Sequence, residues 1–221
     1  MAGVFCAGAV PGDTMAALVQ LAARQRMLSQ HLVLQALLAS LGQAQALACA
    51  QETLVLFADS HTTLVQGKGC LPGAHFAEVQ AAYFGAAAGD ARVREFIELA
   101  RETLHALRHD AQAEGAAKLQ ALIPSAGSLL VLLNQITQIY EAEARRCARQ
   151  LQRQWQALAG QITSVAQQAR AVAYSAQVLA ARSGEAGRDF ASVARELTQV
   201  TGGIEQLAQA AQAVSASRLA A

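Results

Sequence analysis

The sequence predicts an all-α protein, and three observations lead there. Hydrophobic residues fill 53% of the 221 positions but aromatics only 5%. A core of Ala, Leu and Val suits closely packed helices better than sheets. Only three prolines interrupt the chain, and no long stretch alternates β-branched with polar residues as a strand does. Towards the C-terminus, two long segments repeat apolar residues at 3-4 spacing, the period of a helical seam.

Taken in order, residues 1–13 read as a flexible leader, residues 14–145 as a helical domain and residues 146–221 as a helical hairpin. Pro11-Gly12-Asp13-Thr14 is a helix start, with Asp13 or Thr14 as N-cap. The first helix runs to about Leu41, and leucines at 18, 21, 28, 32, 34, 37, 38 and 41 give it a wide apolar face. Gly42 marks the bend into a second helix ending near Val65. Gln66 to Gly73 is a glycine-rich connector without the spacing of a phosphate-binding loop.

A short segment around Phe76 to Phe84 follows, then a break at Gly85 to Gly89. The third helix is predicted from about Asp90, again an N-cap candidate, to Ala113. Pro124-Ser125 is expected to end a short helix, because the residue before a proline resists helical geometry. Ser125 caps the restart. A very long fourth helix then begins at the leucines 129, 130, 132 and 133 and continues to Ser183.

From Leu151 the seam reads Leu151, Trp155, Leu158, Ile162, Val165, Ala169, Val172, Ala176 and Leu179, and it stops at Gly184-Glu185-Ala186-Gly187. A second seam runs from Phe190 through Val193, Leu197, Val200, Ile204, Leu207 and Ala211 to Val214. Two seams of period 3.5 joined by a four-residue glycine turn predict an antiparallel coiled coil. Each arm is about 35 residues, or roughly 50 Å.

Charge and motifs narrow the function. Net charge is +1, so no global field draws the chain to nucleic acid or an anionic membrane. Arg145, Arg146, Arg149 and Arg153 cluster, but Glu141 and Glu143 precede them, as on a solvated helix face. Cys6, Cys49, Cys70 and Cys147 lack metal-type spacing and read as small buried residues in a reducing compartment. No run of 18 apolar residues is found and Met1 to Val10 lacks a basic n-region, so the expectation is a cytoplasmic chain without direct membrane insertion. His105 and His109 share a helix face, but no third ligand has motif spacing, so both read as surface histidines and no metal is expected. His109-Asp110 echoes a phosphoacceptor pair, but no nucleotide-binding segment follows it. With no nucleophile–base constellation, no cofactor and no enzymatic activity is expected.

One stretch of the first helix stands out: Leu21-Ala22-Ala23-Arg24-Gln25-Arg26-Met27-Leu28-Ser29-Gln30. At about 100° per residue, Ala22, Ala23, Arg26, Ser29, Gln30 and Val33 share one face, while Arg24 points away. The alanines let a second helix come close, and Arg26 supplies a planar fork of donors. On residue types alone, an arginine paired with a carboxylate is the simpler account.

This stretch resembles the first-helix signature of the sensor domain of type IV pilus chemotaxis transducers and nitrate/nitrite sensor proteins, through Ala-x-Arg-Gln-Arg-Met-Leu-Ser-Gln. The resemblance implies a four-helix bundle that dimerises through this helix. It also implies a small inorganic anion, nitrate or nitrite, held between paired Arg26 side chains by charge-assisted hydrogen bonds. Ala22, Ala23, Ser29 and Gln30 would surround it. The family's glycine before Arg-Gln-Arg is Ala23 here, and its arginine after Ser-Gln is His31.

The C-terminal segment resembles the signalling hairpin of methyl-accepting chemotaxis proteins. The gap-free run Ala180 to Ala194 follows that family's tip pattern through Arg182, Gly184, Glu185, Gly187, Arg188 and Phe190. The resemblance implies a homodimer that reaches a chemotaxis kinase, its coupling protein or a full-length receptor. Arg170, Ser175 and Leu179 replace two tip asparagines and a trimer-contact glutamate, which argues against standard array membership. The methylation helices and an aromatic C-terminal tether are also missing. The expected function is therefore dimeric oxyanion sensing relayed through the hairpin, with a non-sensing scaffold or adaptor as the alternative.

Overall fold

A computed structural model describes residues 11–109 and 112–217, and it is all-α. Six α-helices occur among the described residues: α1 (Gly12–Ser40), α2 (Ala46–Gln66), α3 (Ala77–Phe84), α4 (Gly89–Arg108), α5 (Gln112–Arg182) and α6 (Arg188–Ser217). Two short strands, β1 (Gly67–Lys68) and β2 (Leu71–Pro72), pair antiparallel, and a 3-10 turn occupies Gly184–Gly187. The chain divides into two compact units, 1–147 and 148–221, to both of which α5 contributes. Most of the predicted leader, with Cys6, and the residue Asp110 lie outside the described residues.

In the first unit, α1 starts earlier than predicted. Pro11 precedes its first residue and accepts the Met15 N–H at 3.0 Å, so neither Asp13 nor Thr14 is the cap. Asp13 instead places a negative charge in the first turn, where the helix dipole favours it. Met15, Leu18, Ala22, Leu28, Leu32 and Ala36 form the inner stripe of α1. Gly42 makes the expected bend with φ 85°, a left-handed conformation that glycine adopts without strain.

Helix α2 buries Ala50, Leu54, Phe57 and Leu64. Its inward hydroxyls are satisfied locally, Thr53 donating to the Cys49 carbonyl and Ser60 to that of Leu56, both at 2.7 Å. The connector after α2 is a small hairpin rather than an open loop. Gly67 is required there, because a Cβ would come within 2.7 Å of the Leu71 carbonyl oxygen. Phe57 meets Phe96 of α4 edge-on, ring centres 5.6 Å apart, at the centre of the core.

The predicted break at Pro124-Ser125 is absent. Pro124 sits on the exposed side inside α5, a single helix of 71 residues. A mid-helix proline removes one hydrogen bond and costs about 3 kcal/mol. Leu119 and Leu122 before it, and Ala126, Leu129, Leu132 and Leu133 after it, all enter the same core and hold the helix on line. Helix α5 also contains an 18-residue window long and apolar enough to cross a bilayer, 33% of it buried in the protein. The core helix of a soluble protein meets the same test of length and composition.

The second unit is joined differently from its prediction. Arg170 of α5 pairs with Glu205 of α6 at 3.0 Å. Seven residues later on α5, Gln177 donates to Thr198, seven residues earlier on α6, at 3.1 Å. The arms therefore run antiparallel. The residues buried between them are Ala159, Ala166, Ala173 and Ala180 on α5, and Ala194, Thr201 and Ala208 on α6. Both sets recur every seven residues. The larger seam residues face outwards, with Val172 65% and Val193 62% exposed, and Trp155, Val165, Leu179 and Phe190 also exposed. Small side chains win the inner position because they let two helix backbones approach closely. At the turn Gly184 has φ 63°, and Gly187 lies on the Ala180 carbonyl so tightly that no Cβ fits.

Candidate functional site

The face predicted around Arg26 is split by the core. Ala22 and Ser29 are buried, Ala23 is half-buried, and Arg26 and Gln30 are exposed. Ser29 is turned inward and spends its hydroxyl on the Arg26 carbonyl at 2.7 Å, so it is corrected from an anion contact to a backbone-bonded core residue. Ala22 likewise packs in the core. The partner of Arg26 is not a carboxylate: its Nη1 donates to Oδ1 of Asn134 on α5 at 3.0 Å. A neutral partner leaves the guanidinium charge unpaired by any carboxylate among the described residues, with further donors available.

Arg26 borders an outward stripe that sequence reading did not separate from the core stripe. Ala16, Gln20, Ala23, Met27, Gln30, Leu34, Leu37 and Leu41 follow one another at strict 4-3 spacing. Met27, Leu34 and Leu41 are 61%, 51% and 73% exposed. A seven-residue repeat of this kind is the pattern by which one helix docks against another. The amphipathic signal was present in the leucine list, but those leucines divide into two faces that only the packing separates.

His31, at the family's arginine position, belongs to a local network. The Thr53 hydroxyl proton goes to Cys49, so Nδ1–H of His31 donates to Thr53 Oγ1 at 3.2 Å. Its Nε2 then accepts from the Gln35 amide at 3.1 Å. His31 therefore ties α1 to α2.

A second polar group lies inside the core. His61 Nε2 bonds Asp90 Oδ1 at 2.8 Å, and Asp90 Oδ2 accepts from Arg94 at 2.9 Å. Asp90, expected as a helix cap, is thus a bridge between α2 and α4. Burial lowers the His61 pKa and outweighs the opposing pull of the Asp90 carboxylate. Burial also pushes the Asp90 carboxyl up, but hydrogen bonds from Arg94 and His61 more than offset it, leaving Asp90 below its ordinary value. The Tyr83 ring lies edge-on to His61 at 5.8 Å. Gln25, between the motif's two arginines, is fully buried, and neither amide atom has a hydrogen-bond partner among the described residues.

At the hairpin turn, Arg182, Glu185, Arg188 and Phe190 are exposed, with Arg188 and Glu185 3.7 Å apart, and Gly187 is buried. Arg170 is held by Glu205 beside an open groove of about 540 Å³ lined by Tyr174 and Gln177. Cys49 and Cys70 are exposed, which corrects the reading of those two as buried residues, while half-buried Cys147 packs against the core. No protein-family model, no curated protein and no solved structure matches this chain.

Proposed function

We propose that the chain is a dimeric signal-transduction protein in which a four-helix bundle senses a small oxyanion, nitrate or nitrite, and an antiparallel coiled-coil hairpin carries the signal onward. The observation that carries this reading is the exposed 4-3 stripe of α1 with Arg26 at its border. Two copies joined along the stripe bury Met27, Leu34, Leu37 and Leu41, each worth about 1.5–3 kcal/mol when fully removed from water. The same docking brings two uncompensated guanidinium groups together, and their mutual repulsion is relieved by an anion between them. Ala23 and Gln30 flank that point, while Ala22 and Ser29 support it from inside.

The outward seams of α5 and α6 support dimerisation of the hairpin as well. Alanines join the two arms of one chain, leaving the large apolar residues for the second copy. Anion binding then changes helix packing along α1 and α5, and through α5 the hairpin. We assign the protein to the cytoplasm and to no enzymatic reaction. A scaffold is the second reading, favoured by the Arg26–Asn134 bond and by Leu179 on the exposed seam. On that reading the hairpin pairs with a chemoreceptor or another helical partner.

Sedimentation of the purified chain with and without nitrate or nitrite distinguishes them. The sensor reading expects a dimer that the anion tightens and that Leu34→Glu dissociates. A monomer at all concentrations contradicts it.

A further inference from the structure

The last turn of α4 ends on two histidines. His105 and His109 are four residues apart, both are exposed, and their ring centres lie 4.5 Å apart with the planes inclined at 48°. Coordination geometry gives that separation meaning. A metal–nitrogen bond of about 2.0–2.1 Å places each ring centre about 3.2 Å from an ion in the ring plane. Two such rings at a cis angle of about 90° stand about 4.5 Å apart, and at the tetrahedral angle about 5.2 Å. The observed separation matches that of two imidazoles at a cis angle of about 90°, as in square-planar, tetragonal and octahedral ions.

The surroundings favour a cation. The pair sits at the C-terminal end of α4, where unpaired carbonyls give the helix its negative pole. The His109 N–H bonds the Ala106 and His105 carbonyls, so the turn that carries both rings is closed. Arg108 lies between the histidines in sequence, and Glu102, one turn earlier than His105, is paired with Lys118 at 2.8 Å. No group of three His, Cys, Asp or Glu side chains converges among the described residues, so the pair of imidazoles is the site's contribution from those residues.

We propose that His105 and His109 form a two-imidazole chelate for a tetragonal divalent transition-metal ion of the copper(II) or nickel(II) class. A cis pair on one helix face needs no third protein ligand, and the proposal goes beyond the sequence expectation of two surface histidines, both of which are exposed. The bound ion bridges one turn and opposes fraying at the end of α4.

The test is calorimetric titration of the full chain with nickel(II) chloride, comparing wild type with His105→Asn, His109→Asn and the control His75→Asn, each checked for unchanged helicity. One equivalent is expected to bind the wild type. Loss of either ring of the pair weakens binding by about tenfold or more, and His75→Asn leaves it within about twofold. One equivalent of copper(II) should show two nitrogen ligands by electron paramagnetic resonance, a signature lost in both variants of the pair. Unchanged nickel affinity in His105→Asn and His109→Asn, or an equal loss in His75→Asn, overturns the assignment. Zinc(II) outcompeting nickel(II) contradicts the cis geometry.

Discussion

Arg26 and Asn134 are joined across α1 and α5 by a hydrogen bond of 3.0 Å from the guanidinium to the side-chain carbonyl. The contact satisfies one donor of the arginine and none of its charge. An exposed bond of this type contributes about 0.5–1.5 kcal/mol. Asn134→Ala is therefore expected to change folding stability by no more than that. By releasing Arg26, it should tighten anion binding about two- to tenfold, measured by titration with nitrite. Weaker binding in Asn134→Ala makes the asparagine part of the site rather than its competitor.

Pro124 inside α5 gives a prediction with an unusual sign. Because the helix is continuous through position 124, Pro124→Ala restores a backbone donor and removes a steric clash worth about 3 kcal/mol. Greater freedom of the unfolded chain takes back about 0.4–1 kcal/mol. The variant should be more stable by about 2 kcal/mol in urea denaturation. A destabilised variant contradicts the single continuous helix.

These two residues also mark what the sequence could convey. All-α content, the bend at Gly42 and the turn at Gly184 were legible, because apolar spacing and glycine act locally. The continuity of α5 was not. A proline is a local veto, and three leucines buried downstream, Leu129, Leu132 and Leu133, overrule it through contacts distant in sequence. The Arg26 motif was legible as a string, but Asn134 stands 108 residues away, and no local pattern pairs them. The hairpin showed the reverse difficulty. The 3-4 repeat identified its large apolar residues, yet the inner position went to the alanines, whose small size makes them weak signals in a sequence and good contacts in a structure.

Acid should weaken the first unit in two stages. The folded-state pKa of His61 lies below its ordinary value of 6.5, so the unfolded chain takes up the proton first. Its contribution is complete above about pH 6.5 and declines as the pH falls through the lowered folded value. Asp90 is lowered from 3.8, so its contribution is complete above that pH and is lost as the pH falls through its folded value. Thermal unfolding between pH 8 and pH 3 should show a midpoint falling below about pH 6.5. In His61→Gln the first stage should disappear. A midpoint that rises on acidification through that window contradicts the assignment.

The two faces of the hairpin should respond to opposite changes. Ala173→Leu inserts volume between arms that touch through small residues, and overpacking of this kind costs about 1–3 kcal/mol. Val172→Ser, one residue away on the exposed face, leaves the pairing of the arms within one chain intact but removes apolar area from the proposed dimer. Circular dichroism and sedimentation together separate the two effects. Equal loss of helix in both variants contradicts the alanine seam.

The central claim rests on Arg26 as the anion-binding group of a dimer. Calorimetric titration of the purified chain with nitrate and with nitrite, in wild type and Arg26→Ala, tests it most directly. One anion bound per two chains, with heat lost in Arg26→Ala while helicity and sedimentation without anion stay unchanged, is the predicted result. Equal heats from both proteins, or no heat from either, contradicts the sensor and leaves the scaffold.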